Sequence, residues 1–163
     1  MGYDQLRKGR YSAAHQVYFV TTVAQGRVAY FNDLWIGRCV VKELRYLHDE
    51  GFAQSMAWVL MPDHLYWLIG LEDSLDLGTV LKTLKARSAR AVNKQLGRRG
   101  SIWQRAYYDH ALRKDENLRV VARYILNNPL RAGLVTDIGE YSLWDAAWIS
   151  NRIGRINPAL QLN

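Results

Sequence analysis

Apolar runs of strand length alternate along this chain with stretches whose apolar residues fall at helical spacing. The clearest stretch is 56–71, where Met-Ala-Trp-Val-Leu-Met and His-Leu-Tyr-Trp-Leu-Ile-Gly-Leu flank Pro62-Asp63. A Pro-Asp break between two such runs suits a turn, so the pattern predicts two neighbouring antiparallel strands with a tight connection. Alternation along a strand then puts His64, Tyr66 and Leu68 on one face and Leu65, Trp67 and Ile69 on the other. Spacing alone makes the His64/Tyr66 pair an ordinary rim or core pair with satisfied hydrogen bonds.

The remaining pattern supplies one more clear strand and three helices. His15–Val23 is rich in aromatic and β-branched residues and is expected as the first strand, at the sheet centre. Asp33–Glu50 carries Leu34, Ile36, Val40, Val41, Leu44 and Leu47 near helical spacing, with Gly51 as a stop, and predicts the first long helix. His48 in its last turn reads as a surface residue favoured by the helix dipole. Leu77–Leu96 predicts a second, with Leu81, Leu84, Ser88, Ala91, Val92 and Gln95 on its packing side. A third is expected to begin after Asp115 as N-cap and run over 116–127, with Leu118, Val121, Ala122 and Ile125 forming its stripe. Tyr124 and Asn128 then stand one turn apart at the stripe's edge, and Pro129 predicts fraying at Asn128. By spacing alone they read as a helix-edge tyrosine and an Asn-Asn-Pro stop.

Length and composition bound the rest. With 163 residues and 49% hydrophobic content, the chain is expected to be one domain with a normal core. Residues 1–14 read as a basic surface arm, and 130–163, with Tyr141, Trp144 and Trp148, as a tail packing on the domain edge. No apolar run is long enough to span a bilayer and no leader-like segment opens the chain, so a cytoplasmic protein without membrane contact is expected. The single cysteine, Cys39, excludes an internal disulfide and a thiolate cluster and reads as a small buried residue.

Charge narrows the class of partner. The 22 basic residues outnumber the 15 acidic ones, for a net charge of +7, which favours a polyanionic partner. The excess is local: seven basic residues and no acidic one lie between Lys82 and Arg99. On the second helix Arg87, Arg90, Lys94 and Arg98 cluster on one side. Such a face is ordinarily solvated, but four cations without acidic partners repel one another, which phosphates would relieve. The basic loop with Arg99 leads into Trp103, Arg105, Tyr107 and Tyr108. This segment reads either as a further strand or as phosphate contacts with base stacking, with Trp103 the stacking candidate. Arg131, Arg152 and Arg155 extend a basic rim.

Met-Pro-Asp-His-Leu-Tyr-x-Leu-Ile at 61–69, with Tyr124-Ile-Leu-Asn-Asn-Pro further on, resembles the single-tyrosine HUH transposases, in particular the REP-associated tyrosine transposases of bacteria. Trp103-Gln104-Arg105 followed by Asp109-His110-x-x-Arg113 resembles the family's linker into its last catalytic helix. The resemblance covers most of the chain. It implies an α+β fold with a central antiparallel sheet of four or five strands and packed helices, a ferredoxin/RRM-like HUH core presenting His64 toward the last helix. It also implies a metal-dependent single-stranded DNA endonuclease and strand transferase, acting on hairpin-forming repeats and passing through a 5′-phosphotyrosine. Tyr124 matches the nucleophile, and His64 and Asn128 match ligands of a divalent metal, Mg or Mn. Tyr66 stands where the family has its second histidine, and a neutral phenol is a poor ligand for such ions. The site then works with two protein ligands plus water and phosphate, recruits His110 or Asp63, or loses metal-dependent cleavage. A phenol, with pKa near 10 in water, must lose its proton in the transition state to act as a nucleophile. The resemblance further implies a nucleoid-associated monomer or homodimer partnered with single-stranded or hairpin DNA.

Two other readings remain open: a hairpin-binding protein derived from such an enzyme without its chemistry, and an RNA-binding sheet domain. Cleavage separates the first from a transposase, and preference for DNA over RNA separates the second.

Overall fold

The computed structural model describes residues 16–71 and 75–147. The expected N-terminal arm, His15, residues 72–74 of the polar link, and Trp148, Arg152 and Arg155 lie outside the described residues. In chain order the elements are β1 (Val17–Val23), α1 (Leu34–Asp49), β2 (Ala53–Met61), β3 (His64–Leu71), α2 (Leu77–Leu96), β4 (Tyr108–Ala111), α3 (Leu118–Leu126), α4 (Asn128–Arg131) and β5 (Trp144–Ala146). The strands form one antiparallel sheet ordered β4-β1-β3-β2-β5, so the fold is α+β as expected.

The predicted hairpin is its spine. Met61 pairs with His64 across Pro62-Asp63, and both turn carbonyls are held, Pro62 O by the Phe31 amide at 3.0 Å and Asp63 O by the Ala24 amide at 2.8 Å. The central strand is β3 and not β1. β1 pairs with β3 on one side and with only the four-residue β4 on the other. β4 itself settles the open reading of Tyr107 and Tyr108 in favour of a strand edge beginning at Tyr108.

Helices cover both faces of the sheet. Tyr18, Val20, Trp58, Leu60, Leu65, Trp67 and Ile69 meet α1 and α2 in one core. Ala57, Val59, Met61 and Leu68 meet Ala122, Ile125 and Leu126 of α3 in a second. Asp33 starts α1 by accepting hydrogen bonds from the Trp35 and Ile36 amides, and Asp76 starts α2 through the Thr79 amide. α2 ends at Gly97 in the left-handed conformation, where a side chain would be strained. Its packing side is Leu77, Val80, Leu81, Leu84, Ser88 and Val92. Gln95 is exposed, against expectation, because the last turn stands clear of the core; Leu96 beside it is 42% exposed.

Two C-terminal expectations are corrected. α3 is capped by Asn117, whose Oδ1 accepts from the Arg119 and Val120 amides, while Asp115 pairs with Arg113. Both residues are competent caps, and Glu116 decides between them by turning back to accept from the Arg113 amide. The tail does more than pack on an edge: Trp144–Ala146 adds a fifth strand along β2, and the Tyr141 hydroxyl donates to Leu60 O at 2.6 Å.

Candidate active site on the open sheet face

Strand register assembles the site. His64 stands opposite Val23 and Met61, and Tyr66 opposite Thr21 and Val59. These side chains belong to the face covered by α3, which has nine residues and shields only part of it. Beyond its edge the two rings of β3 touch, His64 and Tyr66 lying 4.8 Å apart at 83°. Phe19 of β1 meets Tyr66 edge-on at 5.7 Å and Tyr124 at 6.1 Å. Two residues sixty positions apart in the chain are thus joined by consecutive ring contacts across one face. Tyr124 is 53% exposed and so open to solvent.

The groups around these rings are charged. The His64 side chain is 18% exposed, and its Nδ1 lies 2.6 Å from Asp63 Oδ1. Asp63 Oδ2 is 3.4 Å from the Arg27 guanidinium. Burial pushes the Asp63 carboxyl up, but the hydrogen bond and charge of His64, with Arg27 behind them, hold it below the ordinary value. An ionised carboxylate can only accept, so Nδ1–H donates and Nε2 is the remaining nitrogen. Tyr66 is pushed above the usual phenol range by burial, reinforced by Tyr124, with Arg131 and Arg27 opposing. It stays a neutral phenol at physiological pH.

Tyr124 sits in the last full turn of α3, and the chain breaks after it. α3 ends at Leu126 and α4 starts at Asn128 with Pro129 in its first turn, because proline brings no amide hydrogen to continue the ladder. Asn128 Nδ2 donates to Tyr124 O at 3.3 Å and Ile125 O at 3.0 Å, which leaves Oδ1 as the atom for any outside partner. Arg131 donates to Tyr124 O at 2.8 Å, with its guanidinium carbon 4.1 Å from the centroid of the Tyr124 ring.

The basic residues of α2 are not gathered here. α2 packs on the other face of the sheet, and its cations and those of the segment after it are differently engaged. Arg87 lacks the free charge expected of it: Nε donates to Glu43 of α1 at 2.6 Å and the guanidinium stacks 3.8 Å over Tyr46. Arg98 donates to Asn93 Oδ1 and stands 5.5 Å from the Tyr30 ring. Arg90, Lys94, Arg99 and Arg105 are exposed. Trp103 is not a stacking platform. It is 5% exposed, packs on Phe31 at 5.1 Å and donates from Nε1 to Ser88 Oγ, so no base can reach its ring.

Neither proposed substitute ligand moves into the second-histidine position. His110 contacts Glu116 at 3.0 Å, and Asp63 is taken by His64 and Arg27. Among the described residues no cluster of three or more His, Cys, Asp or Glu side chains is placed to hold a metal. Phe19 and Arg27 belong to the site without having been singled out: strand register brings in Phe19, and the turn after β1 brings Arg27 to Asp63. Tyr108 joins them on the same row: it stands opposite Thr21, as Tyr66 does on the other side, and is 65% exposed.

The family model described as IS200-like transposase matches residues 13–128. A Haemophilus influenzae protein assigned as a REP-associated tyrosine transposase is 26% identical over 140 residues, covering 77% of this chain and 76% of that one. The REP-associated tyrosine transposase of Escherichia coli K12 is 27% identical over 86 residues, 52% of this chain and 49% of that one. Among solved structures, a REP-associated tyrosine transposase bound to a REP hairpin superposes with a TM-score of 0.70 at 19% identity, covering 86% of this chain and 82% of that one. Among the described residues no helix is long and apolar enough to cross a membrane. The chain belongs to the IS200-like transposase family, and the named relatives it matches there are REP-associated tyrosine transposases.

Proposed function

We propose that this protein cleaves and rejoins single-stranded DNA beside a hairpin, with Tyr124 as the nucleophile. The observation that carries the reading is an exposed phenol joined by ring contacts to His64 on one open sheet face, with a guanidinium over it. Tyr124 Oη attacks a phosphodiester phosphorus, the new oxygen–phosphorus bond replaces the bond to the 3′ oxygen, and a 5′-phosphotyrosine and a free 3′-OH result. The phenolic proton passes to solvent on the exposed side and the departing 3′ oxygen takes one up. Attack by a 3′-OH on the phosphotyrosine reverses the step, and because one phosphoester is exchanged for another no nucleotide is consumed. Exposed Tyr108, one strand over from Tyr66, suits a stacking contact with an unpaired base. Exposed Arg90, Lys94, Arg99 and Arg105 suit phosphates farther along the hairpin.

The divalent ion, Mg or Mn, expected from the resemblance meets an incomplete donor set. His64 and Asn128 bring no negative charge, and Tyr66 is held protonated by burial. These three residues do not fit a divalent site of their own, since hard cations need charged or numerous oxygen ligands.

The reading is tested by incubating end-labelled hairpin DNA carrying single-stranded flanks with the protein, in Mg²⁺, in Mn²⁺ and in chelator, and resolving covalent adducts on denaturing gels. Wild type is expected to form an adduct that Tyr124→Phe abolishes. Tyr66 favours one second reading, a hairpin-binding protein that has lost cleavage. Binding without an adduct in wild type, with cleavage appearing in Tyr66→His, would establish that reading instead.

A further inference from the structure

The incomplete donor set leaves a chemical requirement unmet. During attack the phosphoryl oxygens gather charge that some fixed positive group must offset. Arg131 is the cation that stacks on the Tyr124 ring. In an unbroken helix a residue seven positions beyond Tyr124 would stand about 10 Å further along the axis. The break at Asn127 starts a separate four-residue helix, and from it the Arg131 side chain turns back, bonding Tyr124 O at 2.8 Å and stacking 4.1 Å from the ring centroid. The residue is exposed, so the face of the guanidinium away from the ring meets solvent. Its influence also reaches Tyr66, where it and Arg27 are the cations opposing the effect of burial. A planar fork held in this way is preorganised for two oxygens of one phosphate, which an ammonium group is not.

From this geometry we propose that Arg131 is a catalytic residue of strand cleavage, its guanidinium contacting the non-bridging oxygens of the scissile phosphate while its bond to Tyr124 O fixes the nucleophile's turn. The inference rests on the strand-cleavage reading above and deepens it. No group is oxidised or reduced and no proton leaves Arg131. The guanidinium offsets charge as the Tyr124 oxygen–phosphorus bond forms and the bond to the 3′ oxygen breaks.

The test uses the full chain and two synthetic hairpin substrates, one with a normal scissile phosphodiester and one with a methylphosphonate there, which lacks one negative oxygen. Single-turnover adduct formation is followed for wild type, Arg131→Ala, Arg131→Lys and, as a neighbouring exposed cation on α3, Arg123→Gln. On the phosphodiester, Arg131→Ala is expected to be slower by about 100-fold or more, as when one fixed donor to a developing oxyanion is lost. Arg131→Lys should fall between, and Arg123→Gln should match wild type. On the methylphosphonate the gap between Arg131→Ala and wild type should shrink to about tenfold or less, because the charge the guanidinium answers is gone. A merely structural role would slow both substrates equally, and that result overturns the proposal, as does an equal loss in Arg123→Gln. Failure of the cleavage reading looks different: wild type then gives no Tyr124-dependent adduct on either substrate, and both ideas fall together.

Discussion

The two faces of the sheet are built from the same strands and do opposite work. On one face Leu65, Trp67 and Ile69 are fully buried under two helices of 16 and 20 residues. On the other, a nine-residue helix covers Ala57, Val59 and Leu68 and leaves His64, Tyr66 and Tyr124 partly or largely accessible. Neighbouring residues of one strand therefore answer to different constraints. Trp67 is held by packing and by its bond to Ser55 Oγ. Tyr66, one position earlier, is held by ring edges and faces the groove. A closed face fixes the sheet rigidly enough for the open face to hold polar rings at defined separations without burying them.

The sharpest way to break that contrast is to truncate the two neighbours separately. Trp67→Ala removes a fully buried indole and its hydrogen bond and should cost about 3–5 kcal/mol in urea unfolding, read as a lowered midpoint at constant slope. Tyr66→Phe removes only a hydroxyl at the groove and should stay within about 0.5 kcal/mol. Similar costs for the two would mean that the faces are not distinct. The next effect belongs to the thin core under α3. Ile125→Ala, buried between α3 and the sheet, should cost about 2–3 kcal/mol, nearer the lower end for aliphatic truncation because a single short helix can settle onto the gap. Since Tyr124 is the preceding residue, adduct formation should fall as well, whereas Trp67→Ala should spare it in the fraction that remains folded.

What the sequence made legible follows the range of the interactions involved. The hairpin around Pro62-Asp63 and the limits of α1 and α2 depend on residues a few positions apart, and pattern reading found them. The His64/Tyr66 face was equally readable, being simple alternation. The departures at the site involve partners distant in the chain. Arg87 lost its free charge to Glu43, 44 residues away, and Trp103 was drawn inward by Ser88 and Phe31, a fate that no local spacing encodes. Phe19 entered the site through register with β3. Arg131 was legible only as one cation of a rim, because its approach to Tyr124 depends on how two short helices meet across Asn127. The cap of α3 is an intermediate case: Asp115 and Asn117 carry the same local signal, and the choice was made by Glu116.

That choice yields the two smallest effects, both on the element that carries the nucleophile. Asn117→Ala leaves the Arg119 and Val120 amides without their acceptor and should cost about 1 kcal/mol. Adduct formation should fall with it if the first turn of α3 steadies Tyr124 two turns on; an unchanged rate would mean that the thin core alone holds the helix in place. The titration of Glu116 is subtler. Its carboxyl is held below the ordinary 4.5, first by the Arg113 amide and, after burial has opposed it, by His110 and the Arg113 charge. A carboxylate with a depressed folded value stabilises the folded state fully above its unfolded value, here above about pH 4.5, and the gain disappears as pH falls through the lower folded value. Glu116→Gln should therefore lose little at pH 3 and more at pH 6. It keeps an acceptor for the Arg113 amide but not the charge that faces His110 and Arg113, so the difference between the two pH values reads the charged contribution alone. A pH-independent difference between wild type and Glu116→Gln would mean that the turn before α3 is held by the hydrogen bond and not by ionisation. The site's tolerance of acid would then have to be sought on the β3 side, at Asp63.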